Sequence, residues 1–135
     1  MSEKRGAEKT VLVVEDEPDN RDIMCSVVQD VAGYRACAVA DGEQALAAVA
    51  SGPPDLILLD LVLPGLDGFE VARRLKGNAA TRGIPILAIS ALARTGDRDQ
   101  ALEVGCDDYI DKPFSLDDLV AKIHRLLQPS AASAV

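Results

Sequence analysis

Short, unbroken apolar runs alternate along this chain with stretches in which apolar residues recur every three or four positions, and that alternation constrains the fold most. Val11-Leu12-Val13-Val14, Leu56-Ile57-Leu58-Leu59 and Ile84-Pro85-Ile86-Leu87-Ala88-Ile89 are rich in branched side chains and are followed by polar ones. Such runs predict strands buried on both faces, because a strand with one wet face would alternate apolar and polar residues. Weaker strands are expected over residues 34–39 and 108–110. Between them, Ile23, Val27, Val28 and Val31 fall on one helical face, as do Ala45, Leu46, Ala48 and Val49, then Leu66, Phe69, Ala72 and Leu75. The last helix is the clearest, with Leu116, Leu119, Val120, Ile123 and Leu127 in register. Asp41 with Gln44, Asp67 with Glu70 and Ser115 with Asp118 have the spacing of helix N-caps, and Pro18 suits a first helical position. A fourth helix, expected over residues 95–104, has Gly96 near its start and few apolar anchors, so it is the element expected to move most easily. The alternation implies an α/β fold, a doubly wound five-stranded parallel sheet covered by helices on both faces.

Composition narrows the function classes. The chain has 135 residues, 48% of them hydrophobic, enough for one domain with a real core. Lys and Arg total 14 against 22 Asp and Glu, a net charge of −8 that argues against nucleic acid as a partner. There is no long apolar run and no basic amphipathic helix to carry membrane binding, and the charged start MSEKRGAEK is not followed by a secretory signal's apolar segment. Cys25, Cys37 and Cys106 form no CxxC pair and are expected to be small buried thiols in a reducing, cytoplasmic setting. Residues 1–9 read as a flexible head, 10–127 as the domain and 128–135 as a flexible tail.

Candidate chemistry sits where strands end, because ligands of open α/β sheets bind beyond the carboxyl ends of the strands. Glu15-Asp16-Glu17 follow the first strand, Asp60 the third, Ser90 the fourth and Asp111-Lys112-Pro113 the fifth. Glu15, Asp16 and Asp60 bring three negative charges and Lys112 one positive, leaving about −2 in one cleft. A hard divalent cation relieves that repulsion, and oxygen-only ligands favour Mg²⁺. Asp60 is then suited to attack phosphorus, with Lys112 and the Ser90 hydroxyl placed for oxygens of the transferred group.

The stretches VLVVEDEP, DLILLDLVLPGLDG, PILAISA and GCDDYIDKPF, in that order, resemble the receiver domain of two-component response regulators over nearly all of residues 10–127. The resemblance implies a flavodoxin-like fold with strand order 2-1-3-4-5. It implies that Asp60 accepts a phosphoryl group from a phosphohistidine on a sensor histidine kinase or a histidine phosphotransfer protein. Asp16, Asp60 and the backbone carbonyl of Val62 would bind Mg²⁺ directly, and Glu15 through water. Ser90 and Tyr109 occupy the family's switch positions, Lys112 is its lysine, and Lys112-Pro113 is expected to be cis. Gly65 and Gly68 permit the tight loop after Asp60. Output would pass through the face made by the fourth helix, fifth strand and fifth helix to a downstream protein, while the phosphodonor approaches near the first helix.

Four positions depart from the family pattern and bear on this reading. Glu15 stands where Asp is commoner, and Leu63 replaces a frequent Met at similar volume. Val62 and Leu92, two residues after Asp60 and Ser90, flank the path of attacking water and are both apolar, which predicts a long-lived aspartyl phosphate.

Other features read more simply. His124 is expected to be a solvated helix side chain, Cys106 a packing residue, and Arg73, Arg74 and Lys76 a solvated helix face. A haloacid-dehalogenase-type phosphatase would need a second Asp at the position of Val62, and a pseudo-receiver would lack some of the filled positions. No Gly-rich dinucleotide fingerprint follows the first strand. The expectation is therefore a phosphoacceptor regulator without a turnover substrate. The Met1 start and short tail favour a stand-alone regulator, with an excised receiver of a larger protein as the alternative.

Overall fold

The computed structural model describes residues 9–90 and 96–128. Strands β1 (Thr10–Val14), β2 (Arg35–Val39), β3 (Leu56–Asp60), β4 (Ile86–Ser90) and β5 (Asp108–Asp111) form one parallel sheet in the order β2-β1-β3-β4-β5. Helices α1 (Pro18–Ser26), α2 (Gly42–Ser51), α3 (Gly68–Lys76), α4 (Asp97–Glu103) and α5 (Leu116–Leu127) connect and cover it. The three strongest apolar runs are its interior strands β1, β3 and β4, and the two weaker ones are the edges, as burial requires.

Strict alternation along the central strands feeds two cores. Val11, Val13, Leu56, Leu58, Leu87 and Ile89 pack on one face against Met24, Val28, Leu119, Ile123 and Leu127. Leu12, Val14, Ile57, Leu59 and Ile86 pack on the other against Ala45, Val49, Val71, Ala72 and Leu75. Each fully buried branched side chain contributes roughly 1.5–3 kcal/mol, so the middle of the sheet is its most rigid part. The helix starts follow their caps: the side chains of Glu17, Asp41, Asp67 and Ser115 accept from the backbone N–H groups of Asn20, Gln44, Glu70 and Asp118.

Several side chains fall elsewhere than the sequence predicts. Ile23 and Val31 are 58% and 57% exposed rather than core; Val31 lies in a π-helical segment, Val27–Ala32, whose wider turn shifts the helical phase. The buried set there is Met24, Val27, Val28 and Ala32. Leu116, in the first turn of α5, is 52% exposed. Cys37 is exposed, since β2 is an edge strand, and Cys25 on α1 is only half-buried; Cys106 is buried as expected. Lys76 is not on a solvated face: its Nζ donates to the carbonyls of Arg82 and Ile84 and to Asp107 Oδ2. His124 is not simply solvated either, its Nδ1 lying 2.8 Å from the Tyr34 hydroxyl. β4 begins at Ile86, two residues later than the apolar run, and α4 begins at Asp97 after Gly96, which has φ +91°. Thr95, Leu92, residues 1–8 of the expected head and residues 129–135 of the expected tail lie outside the described residues. Lys9 donates from Nζ to the carbonyl of Leu127 at 2.6 Å, tying the chain before β1 to the end of α5.

Candidate functional site

The site is assembled at the carboxyl edge of the sheet from the ends of β1, β3, β4 and β5. Glu15 follows β1 directly, is buried, and is held by its own N–H on the Val39 carbonyl at 3.1 Å. Its Oε2 accepts from the N–H of Glu17 at 3.0 Å and its Oε1 from Lys112 Nζ at 2.9 Å. Asp16, next in the chain, is exposed. Asp60 ends β3 and is buried; its Oδ1 accepts from the N–H of Val62 at 2.9 Å, and its Oδ2 lies 3.5 Å from Lys112 Nζ. Oxygen atoms of Glu15, Asp16 and Asp60 lie within 4.8 Å of one another.

Local sequence explains the convergence. α3 is pressed against the end of β3 because Gly68 lacks a Cβ, which would otherwise meet the Asp60 carbonyl oxygen at 2.5 Å. Gly65, at φ +70°, lets the intervening loop turn back. Lys112 is held by its N–H on the Ser90 carbonyl at 2.7 Å, and the Lys112–Pro113 bond is cis. Ser90 ends β4 in register with Asp111, is fully buried, and donates from Oγ to Asp97 Oδ2 at 3.1 Å. Tyr109 on β5 is half-buried and donates its hydroxyl to Asp111 Oδ1 at 2.5 Å. Val62 is 49% exposed.

The charges are unequally shared. Burial, reinforced by the neighbouring Glu15 charge and hydrogen bonding with Glu15, pushes the Asp60 carboxyl up to about 6 despite the Val62 N–H and Lys112. Burial would raise Glu15 too, but hydrogen bonds from Lys112, the Glu17 N–H and Asp60 outweigh it and leave Glu15 below its ordinary value. Burial would lower Lys112, yet the two carboxylates more than compensate and keep it a firm cation. In the resting pocket Lys112 therefore sides with Glu15, and Asp60 is the acid that retains a proton most readily.

Three clustered carboxylates with one exposed member suit a hard divalent cation, which Mg²⁺ satisfies with one or two carboxylates and several waters. Burial chiefly raises Asp60, and a cation held by these carboxylates would offset the added Glu15 charge and favour the ionised, nucleophilic form. The arrangement can thus bind an anion of high charge density and transfer it to an aspartyl oxygen, with Lys112 as the matching cation.

Two side chains at this edge carry no motif that singles them out in the sequence. Arg21 donates to the carbonyls of Glu15 at 3.0 Å and Asp16 at 3.3 Å, fixing the loop that presents both acids. Asp97, only 6% exposed, receives the Ser90 hydroxyl. The available signal was an acid in the first turn of a helix, which ordinarily reads as favouring the helix dipole.

Surface grooves adjoin the site. One of about 400 Å³ lies between α1 and α5, lined by Ile23, Val27, Phe114 and Leu116 and reaching Lys112. Another of about 660 Å³ crosses α4, β5 and α5, lined by Arg98, Asp108, Tyr109, Asp118 and Lys122. Among the described residues no helix is long and apolar enough to cross a membrane.

Comparison with known proteins gives one result throughout. Residues 11–124 match the family model described as response regulator receiver domain. The phosphate regulon transcriptional regulatory protein PhoB of Pseudomonas aeruginosa is 45% identical over 120 residues, covering 89% of this chain and 52% of that protein. The transcriptional regulatory protein TcrA of Mycobacterium tuberculosis is 41% identical over 116 residues, covering 86% of this chain and 45% of that one. The chain thus spans about half the length of these relatives. Among solved structures, the receiver domain of the sensor histidine kinase PA1611 of Pseudomonas aeruginosa, with a magnesium ion coordinated in its active-site cleft, is 36% identical. Its TM-score is 0.81, with 90% of this chain and 98% of that one covered. The chemotaxis protein CheY4 of Vibrio cholerae is 29% identical at TM-score 0.82, covering 90% of this chain and all of that one.

Proposed function

The chain belongs to the response regulator receiver domain family, signalling proteins rather than metabolic enzymes, and from that premise we propose that Asp60 is its phosphoacceptor. The donor is a phosphohistidine on a sensor histidine kinase or a histidine phosphotransfer protein, and the reaction depends on Mg²⁺. One observation carries the assignment: Asp60 is the buried carboxylate that touches Lys112 on one oxygen and the Val62 N–H on the other, within reach of Glu15 and Asp16.

An Asp60 oxygen attacks phosphorus as the P–N bond breaks, and the donor ring, protonated on its other nitrogen beforehand, takes the bonding pair and leaves as neutral imidazole. Lys112 neutralises charge on the transferred group, and the Ser90 hydroxyl donates to one of its oxygens. Bound Mg²⁺ supplies charge neutralisation at the phosphoryl oxygens. Asp16, Asp60 and the Val62 carbonyl would hold it, with Glu15 acting through water.

The signal then leaves by the α4-β5-α5 face. Ser90 ends β4 beside β5, and Tyr109 lines the groove across that face, so a shift of Ser90 reaches both. A partner protein docks there, and the cleft between α1 and α5, with its exposed Ile23 and Leu116, receives the phosphodonor. We take the domain to be residues 10–127 and its setting to be cytoplasmic, with neither nucleic acid nor membrane as a partner of this domain.

The test is incubation with phosphoramidate and Mg²⁺, followed by intact-mass measurement. The expected result is the mass gain of one phosphoryl group, lost on treatment with hydroxylamine and absent in Asp60→Asn or when Mg²⁺ is chelated. A gain that persists in Asp60→Asn would overturn the assignment.

A further inference from the structure

Four polar side chains are buried among the described residues: Glu15, Asp60, Ser90 and Asp97. Phosphoryl transfer to Asp60 engages the first three, and Asp97 takes no part in it. Asp97 is the first residue of α4, only 6% exposed, and its Oδ2 accepts the Ser90 hydroxyl at 3.1 Å. A serine hydroxyl has one proton to donate. While that proton lies on Asp97 it is not available to another oxygen, and hydrogen bonds to carboxylates are the stronger kind.

We propose that Asp97 is a positioning residue that holds the Ser90 hydroxyl in the resting protein and competes with an incoming phosphoryl oxygen for its proton. The proposal rests on the reading in which Ser90 donates to the phosphoryl group. Its consequence is mechanical. When Ser90 transfers its hydrogen bond, Asp97 loses one charge-assisted donor and its hold on the end of β4 is weakened. Asp97 also lines a groove of about 290 Å³, together with Val62, Leu63, Phe69 and Gln100, so α4 borders open space on that side. Only Asp97 and Ala101 are buried among the seven residues of α4, so few contacts resist a shift of this helix. Asp97 thus links the occupancy of the acidic notch to the position of α4 by one shared proton.

The test uses beryllofluoride as the phosphoryl mimic at saturating Mg²⁺, with affinity measured by isothermal titration calorimetry. Asp97→Ala is expected to bind beryllofluoride about tenfold more tightly than wild type, and Asp97→Asn, which keeps a neutral acceptor, about threefold more tightly. In a Ser90→Ala background both gains disappear, which a merely structural role for Asp97 would not produce. Mg²⁺ affinity without beryllofluoride stays unchanged. Unaltered beryllofluoride affinity in Asp97→Ala, or the same gain with Ser90→Ala, overturns the proposal. Should Asp97→Ala fail to fold, Asp97→Asn decides by the same criteria. Wild type that binds no beryllofluoride would overturn the site reading and this proposal together, whereas normal binding without an effect at residue 97 overturns this proposal alone.

Discussion

Gly68 stands where helix α3 meets the strand that carries Asp60, and Gly68→Ala tests that contact directly. An added Cβ would lie 2.5 Å from the Asp60 carbonyl oxygen, 2.6 Å from Leu61 Cα and 3.1 Å from the Leu61 carbonyl carbon. Ordinary contacts between such atoms begin near 3.5 Å, so about 1 Å must be found. The obstructing atoms are all backbone, and that backbone cannot retreat easily. The Leu61 N–H donates to the Ile89 carbonyl at 2.9 Å, and the Gly68 N–H itself donates to the Leu61 carbonyl at 3.2 Å. Overpacking of this kind costs about 1–3 kcal/mol, with rigid backbone at the upper end, while replacing Gly in a helix returns roughly 0.5–1 kcal/mol. The net expectation is a loss of about 2 kcal/mol. With a urea m-value of about 2 kcal/mol/M, the unfolding midpoint falls by about 1 M. Because the displaced atoms belong to Asp60 and Leu61, beryllofluoride affinity at saturating Mg²⁺ should fall as well. Gly83→Ala is the control: nothing lies within 4 Å of its added Cβ, so its stability should stay within about 0.5 kcal/mol of wild type. Gly68→Ala within the same margin would refute the argument that α3 is seated on a backbone contact.

Three more outcomes follow from the site. Asp60, held up at about 6 against an unfolded value of 3.8, binds its proton more tightly in the folded protein, so its contribution destabilises the fold increasingly as pH rises from about 4 to about 6. That gap corresponds to at most about 3 kcal/mol, reduced by sharing with Glu15 and Lys112. Without Mg²⁺, Asp60→Asn should therefore match wild type near the lower end of that range and become more stable above its upper end; a difference independent of pH would contradict this. Mg²⁺ at a hundred times its dissociation constant should stabilise wild type by about 2.7 kcal/mol in thermal melts. Asp16→Ala should lose most of that gain while melting almost like wild type without the ion, since Asp16 is exposed. Val62→Asn puts a water-orienting amide beside Asp60, where the Val62 side chain is now 49% exposed, and should shorten the aspartyl phosphate lifetime severalfold in a phosphate-release assay. An unchanged lifetime would exclude apolar shielding at that position as its cause.

What could be read from the sequence was whatever depends on periodicity and on position relative to strand ends. Continuous runs such as 56–59 can be buried on both faces only inside a parallel sheet, and the residue after each run then falls on one edge. Glu15, Asp60, Ser90 and Lys112 were legible for that reason. Val31 departs from the sequence pattern because a π-helical segment after α1 changes the helical phase without changing the composition. Cys37 departs from the expected burial because its strand, β2, is an edge with mostly exposed residues. Asp97 was illegible for another reason: its partner, Ser90, is on a different element, and an acid in a first helical turn already has an ordinary explanation. Lys76 was read as solvated for the same cause, since its three acceptors lie beyond the helix that carries it.

Those acceptors define how the molecule can deform. Asp107 Oδ2 takes a hydrogen bond from Lys76 Nζ and another from the Ile86 N–H, each at 2.8 Å, so the tail of α3, the entry of β4 and the approach to β5 share one oxygen. This knot sits at the opposite end of the sheet from the acidic notch. The domain is therefore clamped like a reed at its base, and any flexing driven by an event at the notch is thrown toward the free tip.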